Sequence, residues 1–488
     1  MLFNSINFAF YLLTVVSIYA IIPSKIRAIW LLISSYYFYS CCNKTYVIIL
    51  LIVTLTTYFG GLKIQKTDNI KYKKMYFIFI ILIILSLLTY FKYINFILTT
   101  FNESIKFIGI ESKFEVINLL LPIGISFYTF VAIGYLIDVI RGKIKAEKNI
   151  IIYSLFVSFF PAILSGPIER SYHLIPQLKL MKRPEYEKVR EGFILLLWGL
   201  FCKIVIADRL ALVVNSIFND IYSYSGVSYI IASLFFTFQI YLDFAGYTYM
   251  AMGIAKFFNI DLINNFNKPY ISKTVTEFWG RWHISLSTWF RDYLYIPLGG
   301  NRVPKIRWAL NTLIVFVVSG IWHGAAYTFL IWGTIHGVIL IVEKLIYGSK
   351  IKNVRNENTI IKFLQTLLTF SIVSIAWVFF RAKTVSDAIH IISNYFNFKV
   401  FSLSTLFQNG GVLKSFGCTL FDFVISIVFL LLFILIQLIT SKNDNGEYIA
   451  YNIKQLPTFL RWTIYVSISI MILWFGKFGM NKFLYSKF

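Results

Sequence analysis

The stretch SYIIASLFFTFQIYLDFAGYTYMAMGIA, residues 228 to 255, carries a single charge, Asp243, in otherwise apolar and aromatic sequence. A helix needs about 20 consecutive, mostly apolar residues to cross the hydrocarbon of a bilayer, and this run exceeds that. Similar runs recur at 8–22, 28–42, 46–62, 75–91, 117–140, 192–207, 308–324, 328–346, 360–380, 418–440 and 459–476. The chain of 488 residues is 58% hydrophobic and 19% aromatic with only 14% charged residues, too little polar surface for a soluble protein of this length. The sequence predicts an all-α polytopic membrane protein with about 11–12 transmembrane helices. The apolar runs are evenly spread and no long polar linker separates them, so residues 1–488 read as one membrane domain. The run from Phe8 to Ile22 lacks a small-residue cleavage site and reads as a retained first span.

A net charge of +24 would suggest nucleic acid on a soluble protein. Here the Lys and Arg residues lie between apolar runs and no nucleic-acid-binding motif is present, so the charge reads as a topology signal. Cys41, Cys42, Cys202 and Cys418 lack metal-ligand spacing and read as buried thiols, with no metal site.

Two basic loops, one with Lys63, Lys66, Lys71, Lys73 and Lys74 and one with Arg141, Lys143, Lys145 and Lys148, are placed in the cytoplasm by the positive-inside rule. The next basic segment holds Arg170, Lys179, Lys182, Arg183, Lys188 and Arg190. Only IIYSLFVSFFPAILSGP, residues 151–167, lies between; if both flanks are cytoplasmic it cannot cross, the alternative being a short ordinary span with mixed topology. Pro161, Gly166 and Pro167 break it, and a re-entrant hairpin is expected. Counting onward, residues 256–307 fall on the cytoplasmic side and the turn near 324–328, free of Lys and Arg, on the outer side. Arg381, Lys383, Lys399 and Lys414 fit an outer location for 381–417 less well.

At 100° per residue, FWGRWHISLSTWFRDYLYIPLGGNR (278–302) places Trp279, Trp282, His283, Leu286, Trp289, Phe290 and Tyr293 on one face. Arg281, Ser285, Thr288, Arg291 and Asp292 fall around the rest, which predicts one interfacial amphipathic helix ending at Pro297 and Gly299-Gly300. His283, on the aromatic face, reads as a core histidine held by hydrogen bonds or as a functional group. His323, in SGIWHGAAYT, is one of five histidines and sits inside an apolar span, where an ionisable residue marks a candidate site. Gly320, Gly324, Ala325 and Ala326 remove bulk around it. A ring that stays neutral there can accept a proton, as a general base must. Asp243 needs a partner or a role, Lys203 is expected to snorkel, and His336 could pair with His323. His173 and His390 read as solvent-facing residues of polar loops. No Walker, Rossmann or G-x-S-x-G pattern is present.

YLDFAGYTYMAMGIAKFFNIDLINNFNKPY (241–270), TEFWGRWHISLSTWFRDYLYIPLGGNR (276–302) and SGIWHGAAYTFLIWGTIHG (319–337) together closely resemble the membrane-bound O-acyltransferases, in particular the bacterial branch of the alginate O-acetylation protein. MLFNSINFAFYLL, LPIGISFYTF, SGPIER, FRAKTVSDA and the tail KFLYSKF extend the likeness over essentially the whole chain. The resemblance implies helices around a central tunnel that joins both faces of the membrane, with a catalytic core at about 117–347. It implies that His323 is the catalytic histidine and His283 the second histidine of the W-H-x-S motif. Asp243, Trp282, Arg281, Arg291, Asp292 and Trp322 are the candidate substrate-binding residues. Thr248-Tyr249 departs from the Ser-Asp pair expected after GY in this branch, which removes a carboxylate.

The expected activity is O-acetylation of an extracytoplasmic polysaccharide from a cytoplasmic donor, acetyl-CoA or another acyl thioester, with no permanently bound cofactor. The setting is a bacterial cytoplasmic membrane, with membrane lipids around the chain and an extracytoplasmic acyltransferase as partner. D-alanyl transfer to teichoic acid is the alternative. A transporter or flippase reading lacks the internal repeat such proteins carry.

Overall fold

A computed structural model of the chain describes residues 1–109, 114–117, 119–164, 166–224, 226–348, 358–397, 418–439 and 453–479. The tail at 482–488, with Lys399 and Lys414, lies outside these residues. Among the described residues the chain is helical and contains no strand. Among the described residues eight helices are long and apolar enough to cross a membrane: Tyr46–Lys66, Ile70–Phe107, Val227–Lys256, Lys305–His323, Tyr327–Tyr347, Thr359–Arg381, Leu420–Ile439 and Thr458–Phe475. Three shorter apolar helices lie at Ile6–Ile21, Ile125–Ile140 and Ile150–Ile163. The polytopic helical architecture expected from the apolar runs is therefore present.

The chain divides into two compact units. The first holds Met1–Gly192, Ala251–Ile263 and Gly324–Ala326. Its helices pack Tyr46–Lys66 on Ile125–Ile140 and Ser24–Ser40 on Ile150–Ser158. Buried polar groups here find near neighbours: the Tyr153 hydroxyl meets Thr57 Oγ1 at 2.6 Å, and the Arg27 guanidinium donates to the carbonyls of Met181 (3.0 Å) and Tyr19 (3.2 Å). Asp261 accepts from both Lys188 and Lys256.

Three sequence readings need adjustment in this unit. The apolar run at 117–140 becomes helical only at Ile125, because Pro122 lacks an amide donor and Gly124 adopts a left-handed φ of 78°. The run at 75–91 belongs to a longer helix, Ile70–Phe107, that continues through a π-helical turn at Thr89–Tyr93. The broken stretch at 151–167 does form two short helices, Ile150–Ser158 and Phe160–Ile163, with the break at Phe159 and Pro161 opening the second. His173 is not in a loop: it lies on the helix Ser171–Leu180 with Nδ1 at 2.8 Å from the buried Glu169 carboxylate.

The second unit holds Phe193–Met250, Asn264–His323 and Tyr327–Phe488. The helices Lys305–His323 and Tyr327–Tyr347 form its most extensive helix pair. Gly320 and Gly333 make that approach possible. A Cβ on Gly320 would lie 2.3 Å from the Phe329 carbonyl oxygen, and one on Gly333 would lie 2.3 Å from that of Phe316.

Lys203 does not snorkel. It is buried at 1% exposure on the π-helical turn Phe201–Ala207, ion-paired with Asp208 at 2.8 Å and with Asp243. An aliphatic stem can reach the membrane surface only when its head is near a helix end, and here two carboxylates hold the ammonium inside. His390 likewise lies on a helix, Val385–Ser393, with its ring 5.0 Å from that of Tyr222.

Candidate active site

The motif expected to form one interfacial helix is broken in the middle. Val275–Arg281 and Ile284–Phe290 are separate helices, followed by a π-helical turn at Arg291–Tyr295. The residue between the helices, His283, has a left-handed φ of 44°. Bonds from the preceding segment override the helical period: the Ile284 amide donates to the Asn265 carbonyl (2.9 Å) and the Asn267 amide to the Arg281 carbonyl (2.9 Å). Asn265 Oδ1 then accepts from Ser285 Oγ (2.6 Å) and the Ser285 amide (3.3 Å), and Asn265 Nδ2 donates to Thr248 Oγ1 (3.5 Å). A non-glycine residue in this conformation costs energy and is kept where the surroundings over-determine it, often at a site.

The break turns the His283 side chain inward, where it is fully buried. Its ring stands edge-on to Phe244 at 4.7 Å, 6.0 Å from Trp322 and 6.4 Å from His323. Neither His283 ring nitrogen meets a protein hydrogen-bond partner among the described residues. Burial without a counter-charge pulls its pKa from the ordinary 6.5 to about 3, so the ring is neutral at physiological pH.

His323 closes the last turn of its helix at 2% exposure. Trp322 (4.9 Å), Trp332 (5.0 Å) and Phe380 (5.3 Å) surround its ring. His336 does not need His323 as a partner: its Nδ1 accepts from Trp279 Nε1 at 3.3 Å, and its ring stands 5.1 Å from that of Trp332. The result is two buried imidazoles side by side in an aromatic enclosure.

The other candidate residues separate into two groups. Trp322 contacts both histidines, and Trp282 is buried against Trp377 (5.0 Å) and Phe266 (5.1 Å). Asp243 is engaged by Lys203, one residue before the Phe244 ring that touches His283. Arg281 is held by Glu277 (2.9 Å) and by the Asn267 carbonyl (3.2 Å), which fixes the break beside His283. Arg291 and Asp292 pair with each other at 2.8 Å on the π-helical turn, with Arg291 exposed. Thr248 is buried and meets Asn265, while Tyr249 is buried nearby in sequence.

Asn265 and Glu343 went unread in the sequence. Asn265 sits in the polar run NNFNK, a signal only when its neighbours are known to be buried. The Glu343 carboxylate accepts from the amides of Val275 (2.5 Å) and Thr276 (2.8 Å) and from Thr276 Oγ1 (2.8 Å). It thereby caps the helix that leads into His283, a long-range contact with no local sequence signature.

A sequence model of the membrane-bound O-acyltransferase family matches residues 145–382, which contain both histidines. The peptidoglycan O-acetyltransferase of Helicobacter pylori is 36% identical over 390 residues, 75% of this chain and 72% of that protein. The chain belongs to the membrane-bound O-acyltransferase family. The probable alginate O-acetylase of Pseudomonas aeruginosa is 37% identical over 408 residues, 83% of this chain and 77% of that protein. The teichoic acid D-alanyltransferase of Bacillus subtilis is 31% identical over 243 residues, 46% of this chain and 59% of that protein. As a membrane-bound O-acyltransferase the protein is a multi-pass membrane enzyme that transfers acyl groups.

Proposed function

We propose that this acyltransferase O-acetylates an extracytoplasmic polysaccharide, taking acetyl from acetyl-CoA or another thioester on the cytoplasmic side of a bacterial cytoplasmic membrane. The observation that carries the reading is the pair of buried imidazoles at 6.4 Å. His323 takes the proton of an acceptor hydroxyl as its oxygen attacks the thioester carbonyl. The new C–O bond forms, the C–S bond breaks, and the departing thiolate ends as a thiol with the proton that His323 carried. General base help of this kind is worth about 10²–10⁴-fold. His283, neutral and free of other hydrogen bonds among the described residues, orients the acyl group.

Among the candidate substrate-contact residues Trp322 is best placed because its ring stands against both histidines, whereas Asp243 and Arg281 are engaged by Lys203 and Glu277, and Arg291 and Asp292 by each other. Transfer within the membrane removes the need to export an activated donor. An extracytoplasmic acyltransferase that relays acetyl to the polymer is the partner this scheme requires if the glycan itself does not reach His323.

The relatives named as O-acetylases match more of the chain than the D-alanyltransferases do, which favours acetyl over D-alanyl. The test compares a strain lacking the gene with the same strain complemented by wild type. Mild base releases ester-linked acids from the envelope polysaccharides and mass spectrometry names them. Acetate restored by complementation is the expected result. D-alanine would replace acetyl by the teichoic acid reading, and unchanged esters of every kind would overturn acyl transfer to the envelope.

A further inference from the structure

A cavity of about 290 Å³ in the second unit is bounded by the spans Lys305–His323 and Tyr327–Tyr347 and by the motif helices before Tyr295. That size is near the ~300 Å³ at which ligand-sized pockets begin. Its walls are mainly hydrocarbon and aromatic, including Leu286, Phe290, Phe316 and Leu340, with hydroxyl residues Thr276, Ser287, Thr312 and Ser319 among them, and its charged groups are two cations, Arg291 and Lys344. No carboxylate lines it among the described residues. The acid nearest in sequence to Lys344, Glu343, is turned to the amides of Val275 and Thr276. Lys344 itself lies 4.3 Å from the ring centroid of Trp308, which holds its ammonium at the cavity.

The position of the cations along the spans identifies the environment. Trp308 is in the first turn of one span and Lys344 in the last turn of the other, so both mark one end of an antiparallel pair. Exposed Arg302, Lys305 and Arg307 stand at the same end. Exposed Ile306, Leu310, Leu345 and Ile346 clothe the outside of the pair with hydrocarbon. An apolar slot between spans, with cations at the level where headgroups lie, matches an amphiphile that has an aliphatic tail and an anionic head. Basic pockets between transmembrane helices take anionic lipid headgroups for this reason.

We propose that this cavity is a binding site for an anionic phospholipid, with an acyl chain along Phe290, Phe316 and Leu340 and the phosphate between Lys344 and Arg291. Arg291 would exchange its present partner, Asp292, for the phosphate or share the charge.

The test uses the full-length protein in nanodiscs of phosphatidylcholine doped with phosphatidylglycerol that carries a photoactivatable group on one acyl chain. The control carries the same group on phosphatidylcholine. Mass spectrometry of the digested protein maps the adducts. The expected result is selective labelling by phosphatidylglycerol of peptides containing Phe290, Phe316 or Leu340. Lys344→Gln should lower it about fivefold, the effect of one basic residue at a membrane surface. Lys344→Arg should retain it, which separates lost charge from lost fold. Equal labelling by phosphatidylcholine would overturn the proposal, as would labelling indifferent to Lys344→Gln. Displacement of the label by coenzyme A would also overturn it, by showing that the slot serves the acyl donor.

Discussion

His283 presents its ring 6.4 Å from that of His323, and it does so from a left-handed backbone position that forms the break between two short helices. Backbone and side chain can be separated experimentally, because Asn tolerates this conformation better than most residues. His283→Asn should therefore keep the protein folded and membrane-inserted while lowering acyl transfer by about 10²-fold, the usual cost of a misplaced reactant. Size-exclusion chromatography beside an ester assay checks this. Activity equal to wild type would assign His283 to structure alone.

Stability should depend on acidity through the same residue. Burial holds His283 down to about 3, so between its ordinary 6.5 and about 3 the unfolded chain binds a proton that the folded chain refuses. Stability thus falls as pH drops below 6.5, and this group contributes no slope above it. His173 acts with the opposite sign: the Glu169 carboxylate raises its pKa, so its stabilisation is complete below 6.5 and fades as pH rises through the folded value. Thermal unfolding across pH should show a shallower acid limb in His283→Asn and a smaller loss on the alkaline side in His173→Gln.

Glu343 acts at a distance on the same geometry. Its carboxylate satisfies two amides that a helix start leaves unpaired, and its charge opposes the helix dipole. Glu343→Ala should cost about 1 kcal/mol and lower kcat more than it raises KM, because the helix it caps leads into His283. Glu343→Gln, which keeps an acceptor, should recover much of the activity. Equal losses in both variants would point to the charge and away from positioning.

The ion cluster of Lys203, Asp208 and Asp243 is an anchor of the second unit. Lys203→Met would remove the ammonium that two buried carboxylates share and should cost about 3–5 kcal/mol. Asp208→Asn leaves the Lys203–Asp243 pair intact and should cost less. Thermal unfolding midpoints in detergent rank the two, and the reverse order would refute this role.

The helical membrane fold was legible because a lipid environment permits few alternatives to long apolar helices, and runs such as 228–255 are hard to read otherwise. His323 stood out for the same reason, as an ionisable group in a span; the small Gly320 beside it serves the close approach of the next helix at Phe329. What periodicity missed was non-local. The 278–302 stretch fits an amphipathic helix perfectly well until Asn265 and Asn267 bond into it and break it at His283. Lys203 looked free to snorkel because its two acidic partners are named only by the fold: Asp208 is local, but Asp243 comes from another helix.

The most direct test of the account is His323→Ala, produced at wild-type levels in the membrane of a strain lacking the native gene, with envelope ester content measured against wild type. The account predicts loss of ester formation by about 10²–10⁴-fold, the contribution of a general base, with folding unchanged. Full ester content in His323→Ala would contradict it and leave the buried pair without a catalytic role.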